Sequence, residues 1–317
     1  MELSILIACH NRSDLTAACL RSLRETLPRT LEHEIIVYDD KSTDDTAELL
    51  DEAEAEWPRV FSSGSLRTLR QPGRGTFASN NNLAARDAKG RWLALLNNDV
   101  ECRAGWLEPL LDLAEREPSA GVISNLHAFP GTGTLAHAGV VIDDDLIPRN
   151  LYEGLPETLP AVVGVERRMT AACAACWLVE RELFVGAGGF DVEFVNGHED
   201  IDLCLRLGDD GRPTWISGKS TIDHRTSSTA GRFDHADENH RLFLRRWGDS
   251  LTPDLARVTQ GDGVRWPDHG IAYRAARAVW RFPPARAMLT PVLRSPAALS
   301  ARQRLLRSLS KTKHGDQ

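Results

Sequence analysis

Three carboxylates fall within four residues at Glu199-Asp200-Ile201-Asp202, directly after His198. Crowding like charges costs free energy unless a cation, hydrogen-bond donors or a proton-transfer task compensates. From Glu199 the pattern is helical, with Ile201, Cys204, Leu205 and Gly208 on one face and Glu199, Asp202 and Arg206 on another. Asp200 would lie in the first turn, where the positive helix end favours a charged carboxylate able to accept a proton. The alternative is a capped, solvated helix start. Two further clusters, Tyr38-Asp39-Asp40-Lys41-Ser42-Thr43-Asp44-Asp45 and Leu96-Asn97-Asn98-Asp99, have the groups to bind a base, a ribose, or Mg²⁺ or Mn²⁺ through hard oxygens. The first could equally be a solvated turn with a helix N-cap at Ser42 or Thr43. His224 follows the apolar stretch 214–222 and, taken alone, reads as a structural residue.

The elements that must position these groups alternate in period. Residues 3–9 are a continuous apolar run and read as a buried parallel strand. Asp14 reads as the N-cap of a helix through Arg24. A strand at 34–38, a helix at 43–56, a strand at 66–69, a helix at 77–88 and a strand at 92–96 follow. Such alternation gives a mostly parallel sheet with right-handed crossovers, whose ligands bind beyond the carboxyl ends of the strands. The segments to read for function are therefore 9–14, 39–45, 70–76 and 97–101. None of them is a Gly-rich dinucleotide turn or a Walker-type loop. Further on, 139–142 reads as a short strand, 143–160 as a long surface loop and 170–179 as a buried extended run.

The chain has 317 residues, 42% hydrophobic and 26% charged, which excludes collagen-like, disulfide-scaffold and wholly disordered classes. Its formal charge of −7 argues against a general nucleic-acid binder. That average conceals an acidic body and a basic end: residues 254–317 hold 12 Lys/Arg against 4 Asp/Glu. The six cysteines are scattered and suit buried thiols in a reducing compartment. Cys173 and Cys176 form the one close pair, half of a tetrahedral metal site, and read as core packing. No secretory signal or run of membrane-spanning length is visible, so the expected location is cytoplasmic.

In order along the chain, these motifs resemble the family 2 glycosyltransferases of GT-A fold, and most of all the bacterial cell-surface polysaccharide branch that includes rhamnosyltransferases. The similarity runs from about residue 3 to 254. Ser4-Ile-Leu-Ile-Ala-Cys-His-Asn-Arg12 looks like the family's opening strand and turn, and Val37-Tyr-Asp-Asp-Lys-Ser-Thr-Asp44 like its nucleoside loop. Asn82 and the strand into Asn97-Asn98-Asp99 resemble the Asn-rich helix and the metal-binding Asp-x-Asp motif. Gly188-Gly-Phe-Asp191 with Glu199-Asp200-Ile-Asp202 resembles the acceptor-side signature, and His224 with Ser227 and Ser228 the trailing metal ligand.

The resemblance implies an α/β GT-A fold: a Rossmann-like nucleotide-sugar half (1–100), an acceptor half (101–253) and a basic helical extension (254–317). It implies that Asn11, Arg12, Asp39, Ser42, Asp44, Arg74, Asn82 and Asn98 surround the donor nucleotide. Asp99 and His224 would hold Mn²⁺ or Mg²⁺. Asp200 would be the catalytic base, with Glu199 and Asp202 shaping the acceptor site. The implied donor is a UDP-, dTDP- or GDP-linked sugar, and the implied acceptor a hydroxyl of a glycan or lipid-linked glycan, with inversion in one displacement.

Three departures from the pattern stand out. Asn97 occupies the first Asp-x-Asp position, Gly73-Arg74-Gly75 replaces Asn-x-Gly, and His198 stands where an aromatic residue is usual. The competing readings are a metal-dependent hydrolase or nucleotidyltransferase on a related scaffold, and a non-catalytic nucleotide-sugar binder. Residues 270–282 have an amphipathic cast and 298–309 form a second basic stretch, a composition suited to an anionic membrane surface at the inner face. Packing on the catalytic domain followed by a frayed end is the alternative.

Overall fold

The computed structural model describes residues 1–70, 73, 75–226 and 234–264. In chain order the elements are β1 (Leu3–Cys9), α1 (Ser13–Thr26), β2 (His33–Asp39), α2 (Thr46–Val60), β3 (Gly64–Arg70), α3 (Phe77–Asp87), β4 (Trp92–Asn97), β5 (Val100–Cys102) and α4 (Glu108–Arg116). There follow β6 (Val122–Phe129), β7 (Thr134–His137), β8 (Val140–Ile142), β9 (Pro148–Asn150), β10 (Glu166–Met169), β11 (Cys176–Glu180), α5 (Arg181–Gly186), α6 (Glu199–Asp209), β12 (Thr214–His224), α7 (Ala236–Trp247) and α8 (Leu255–Gly261).

One sheet passes through both halves in the order β10-β12-β6-β11-β4-β1-β2-β3, with β5 beside β12 and β7 beside β6. Strands β1 to β4 are mutually parallel, and β12 runs parallel to β6. Between these blocks β11 runs antiparallel to both β4 and β6. The central strands are buried on both faces, which is why they read as unbroken apolar runs. Alternate residues enter separate cores: Leu6, Ile36, Leu95 and Trp177 lie in one layer, and Ile7, Val37, Leu96 and Leu178 in the other. The expected α/β architecture with a mostly parallel sheet is what the chain adopts.

Several local expectations need correction. Helix α1 begins at Ser13, not at an Asp14 cap; its cap position is Arg12, left-handed at φ 59° and without a side-chain cap bond. Helix α2 starts three residues later than expected, because Ser42 and Asp44 bond to other groups described below. Residues 143–160 are not a surface loop. They contain β9, and Leu151 and Tyr152 are fully buried in the core that also takes Val140 and Val141. Of the run 170–179, only the part from Cys176 is strand; Ala171 and Ala172 are buried in non-strand backbone.

The start of the basic extension is bonded to the body. Asp254 accepts the Ile142 N–H at 2.7 Å and the Thr170 hydroxyl at 2.8 Å, and Asp262 accepts the Tyr152 hydroxyl at 2.6 Å and pairs with Arg167. The helical stretches expected at 270–282 and 298–309 lie outside the described residues, as do Arg74, Ser227 and Ser228. No helix among the described residues is long and apolar enough to cross a membrane.

Candidate active site

The carboxyl ends of β1 and β2 build one cage from short side chains and backbone. Asp39, the last residue of β2, is buried; its Oδ1 accepts the Ser42 N–H at 3.0 Å, and Arg70 Nε approaches its Oδ2 at 3.6 Å. Ser42 Oγ accepts the Asn11 N–H at 2.7 Å, and Asn11 Oδ1 accepts the Thr43 N–H at 2.7 Å. Asp44 accepts the Ser13 N–H at 3.0 Å and the Thr46 N–H at 3.2 Å, joining the starts of α1 and α2. These bonds offset the strain of three left-handed non-glycine residues, Asn11, Arg12 and Lys41. Arg12 points outward and pairs with Asp14 at 2.8 Å on the surface. Asp40, not singled out from sequence, extends the cage: its buried carboxylate accepts the Gly75 N–H at 2.7 Å and holds the loop before α3. Asn98 donates to the Thr16 hydroxyl at 3.1 Å, tying the loop after β4 to α1.

Asn82 does not join this group. It is buried on α3, where its amide donates to the Phe190 carbonyl at 2.7 Å and accepts the Phe190 N–H at 2.8 Å. Both halves of the amide are thereby spent clamping a remote loop. Gly189 is required beside it, since a Cβ there would stand 2.3 Å from Asn82 Oδ1 and φ is +70°.

Asp99 and His224 do meet. Both are buried, and His224 Nε2 stands 3.3 Å from Asp99 Oδ1 in an approach that lacks hydrogen-bonding geometry. The antiparallel pairing of β5 with β12 makes this contact, placing His224 opposite Val100. Asn97 Oδ1 is also buried, with no hydrogen-bond partner among the described residues. A carboxylate beside an imidazole nitrogen suits a Mn²⁺-like ion.

Helix α6 opens on His198 at φ 74°, a left-handed turn that starts the helix without a side-chain cap. Glu199 is buried and accepts the Gly197 N–H at 2.5 Å. Asp200 is half-buried, accepting the Ala174 N–H at 3.2 Å and the Ile201 N–H at 2.9 Å. Donors from two elements thus hold this carboxylate without enclosing it. Asp202 differs sharply. It has no exposed surface, and it receives Arg206 at 2.8 Å, Arg246 at 2.8 Å and the Trp247 indole N–H at 3.0 Å. The resemblance implied a place for Asp202 at the acceptor; the structure instead buries it completely, where it ties α6 to α7. His198 packs near the rings of Phe194 and Phe243, filling the place expected for an aromatic residue. Burial and the nearby His240 push its pKa down to about 4, so the ring is neutral.

Residues 174–175 join the two candidate centres. The Ala174 N–H serves Asp200, while the Ala175 carbonyl accepts the Asn97 N–H at 3.1 Å. Sequence reading missed this bridge because it is made by backbone, which carries no residue signature.

The model of glycosyl transferase family 2 matches residues 4–184. Over 154 residues, 47% of this chain and 12% of the relative, the chain is 33% identical to the O-antigen biosynthesis protein RfbC of Myxococcus xanthus. It is 28% identical to an N-acetylglucosaminyl-diphospho-decaprenol L-rhamnosyltransferase of Mycobacterium tuberculosis, over 44% of this chain and 48% of that protein. The chain thus spans less than half the length of these curated relatives. Among solved structures, GalNAc-T7 with UDP, GalNAc and Mn²⁺ superposes with a TM-score of 0.61 at 18% identity, covering 87% of this chain and 58% of that one, a likeness of fold. With most of its described sheet inside the matched span, the chain belongs to glycosyl transferase family 2 and adopts a GT-A fold.

Proposed function

We propose that the chain is an inverting, metal-dependent transferase acting in cell-surface polysaccharide synthesis. It moves a sugar from a nucleoside diphosphate to a hydroxyl of a glycan or lipid-linked acceptor. The observation that carries this reading is the bridge at residues 174–175, which sets the candidate base Asp200 and the candidate metal loop at one edge of the sheet. The names of the O-antigen protein and the rhamnosyltransferase support the acceptor class, and the UDP and Mn²⁺ in the GalNAc-T7 structure support the donor and ion.

Asp39 and the Asn11–Ser42–Thr43 network would hold the nucleoside. Asp99 and His224, with Asn97 Oδ1, would hold Mn²⁺ or Mg²⁺, which when bound supplies positive charge to a departing diphosphate. Asp200 accepts the proton of the attacking hydroxyl at one of its carboxylate oxygens. Its two N–H donors orient it, and the positive end of α6 stabilises its charge before reaction. Glu199, fixed by Gly197, supports the turn that presents Asp200. Attack from the face opposite the leaving group inverts the anomeric centre.

The full chain incubated with UDP-, dTDP- and GDP-sugars, with Mn²⁺, Mg²⁺ or chelator, should transfer or slowly release sugar from one donor class only when an ion is present. Anomeric NMR of the product should show inversion. Phosphate release without sugar transfer would favour a hydrolase, and nucleotide-sugar binding with no turnover a non-catalytic binder. Binding itself is readable as thermal stabilisation, about 2.7 kcal/mol at a hundred times the dissociation constant.

A further inference from the structure

Two histidines lie fully buried on neighbouring strands, their ring centroids 4.6 Å apart, and their surroundings differ. His137 on β7 is satisfied by protein groups. Its Nδ1 bonds Asn150 Oδ1 at 2.9 Å, and its Nε2 accepts the Cys173 N–H at 3.4 Å. His127 on β6 has neither: both ring nitrogens are buried with no hydrogen-bond partner among the described residues. A buried polar group left so is rare and calls for a ligand or an ion.

Ligand atoms converge beside it. One atom each from His127, Cys173 and His224 lie within 4.8 Å of one another. At the centre of a triangle with that edge, each atom would stand about 2.8 Å away, against roughly 2.0–2.3 Å for bonds from nitrogen or thiolate sulfur to zinc. A contraction smaller than one ångström per ligand therefore closes the set.

We propose that His127, Cys173 and His224 bind a borderline-soft divalent cation, best matched by Zn²⁺, as three protein ligands with a fourth position open. Thiolate and imidazole select such an ion over Mg²⁺, which prefers oxygen. Cys173 is the partly exposed member and gives the ion its way in. His137 and Asn150 form the supporting shell, since His137 fixes the backbone of the cysteine ligand. Loading by the thiol is balanced by one proton: the Cys173 thiol becomes a thiolate on the ion and its proton leaves to solvent. The site competes with the donor-ion reading above for His224, since one imidazole nitrogen holds one ion at a time, and it does not rest on that reading.

The full chain, stripped with chelator and dialysed, is titrated with Co²⁺ and followed by absorption. The expected result is a near-ultraviolet sulfur-to-cobalt charge-transfer band, displaced by Zn²⁺, with about one proton released per ion in calorimetry across buffers. Cys173→Ser should abolish the band, and His127→Gln should weaken Co²⁺ binding by at least about tenfold, a loss that even changes in a ligand's hydrogen-bond partner reach. Asp99→Asn should keep the band. A wild-type chain without it, or Cys173→Ser retaining it, overturns the site. Cys173→Ser at a partly exposed position guards against loss through misfolding, checked by an unchanged Tm of the metal-free chain. If Asp99→Asn also keeps full sugar transfer, the donor-ion reading falls while this site stands; if Asp99→Asn is inactive and no band appears, the reverse holds.

Discussion

The two sides of the sheet edge are built on opposite principles. On the proposed nucleoside side, Asp39, Asp44, Asn11 and Ser42 bond to backbone N–H groups of adjacent loops, so the cage is complete before any ligand arrives. On the proposed metal and acceptor side, His224 Nε2, Asn97 Oδ1 and both nitrogens of His127 are buried without hydrogen bonds among the described residues. An isolated buried polar atom of this kind costs about 1–3 kcal/mol. The first side is pre-organised by its own chain; the second leaves valences that a ligand can satisfy. Stability should therefore be carried by buried ion pairs, donor affinity by the first arrangement, and turnover by the second.

The largest effect should come from Asp200→Asn. Loss of a general base lowers kcat by about 10²–10⁴-fold, with donor affinity and Tm unchanged. Retention of more than about a tenth of the rate, a barrier change of only ~1.4 kcal/mol, would remove Asp200 from the proton transfer. Asp202→Ala should behave the other way. Stripping a fully buried carboxylate from Arg206, Arg246 and Trp247 should cost about 3 kcal/mol or more in denaturant unfolding, while the remaining folded protein keeps its activity. Unchanged stability with lost transfer would return Asp202 to the acceptor site.

Acid should weaken the acceptor side next. Burial pushes the His137 and His198 pKa values down to about 4 from 6.5. The unfolded chain therefore takes up protons first, so this contribution is complete above pH 6.5 and is lost as pH falls towards 4. At pH 5 the loss is about 2 kcal/mol for each group, readable as a lower denaturant midpoint than at pH 7. Equal midpoints would show that these rings are not buried as described. The smallest effect belongs to the cage: Asp39→Asn should raise the donor dissociation constant about tenfold, near 1.4 kcal/mol, with little change in Tm because its remaining partners are a loop N–H and an exposed arginine.

What could be read from sequence follows the same division. Strands β1, β2 and β4 were legible because burial on both faces leaves unbroken apolar runs, and so were the positions of Asp39 and Asp99 at or just beyond the ends of such runs. Asp202 was misplaced since an i,i+4 pair with Arg206 looks like a solvated helix face; only the docking of α7 reveals its burial. Asn82 was misplaced because its partner Phe190 lies 108 residues away. The segment 143–160 misled through its prolines and charges, which conceal Leu151 and Tyr152. His127 carried no signal, because its neighbours come from separate strands and a loop, and no short spacing records them.

The reversal of β11 has a consequence for how this sheet edge can change. A parallel strand delivers only the loop that follows it to the ligand edge. Because β11 runs backwards between β4 and β6, the loop that precedes it arrives there instead, and Cys173, Ala174 and Ala175 stand beside the ends of their neighbours. Length changes in residues 170–175 would thus retune both Asp200 and the loop carrying Asp99. The turn from β11 into α5 opens at the opposite edge, so this half of the fold can be lengthened there without disturbing the chemistry.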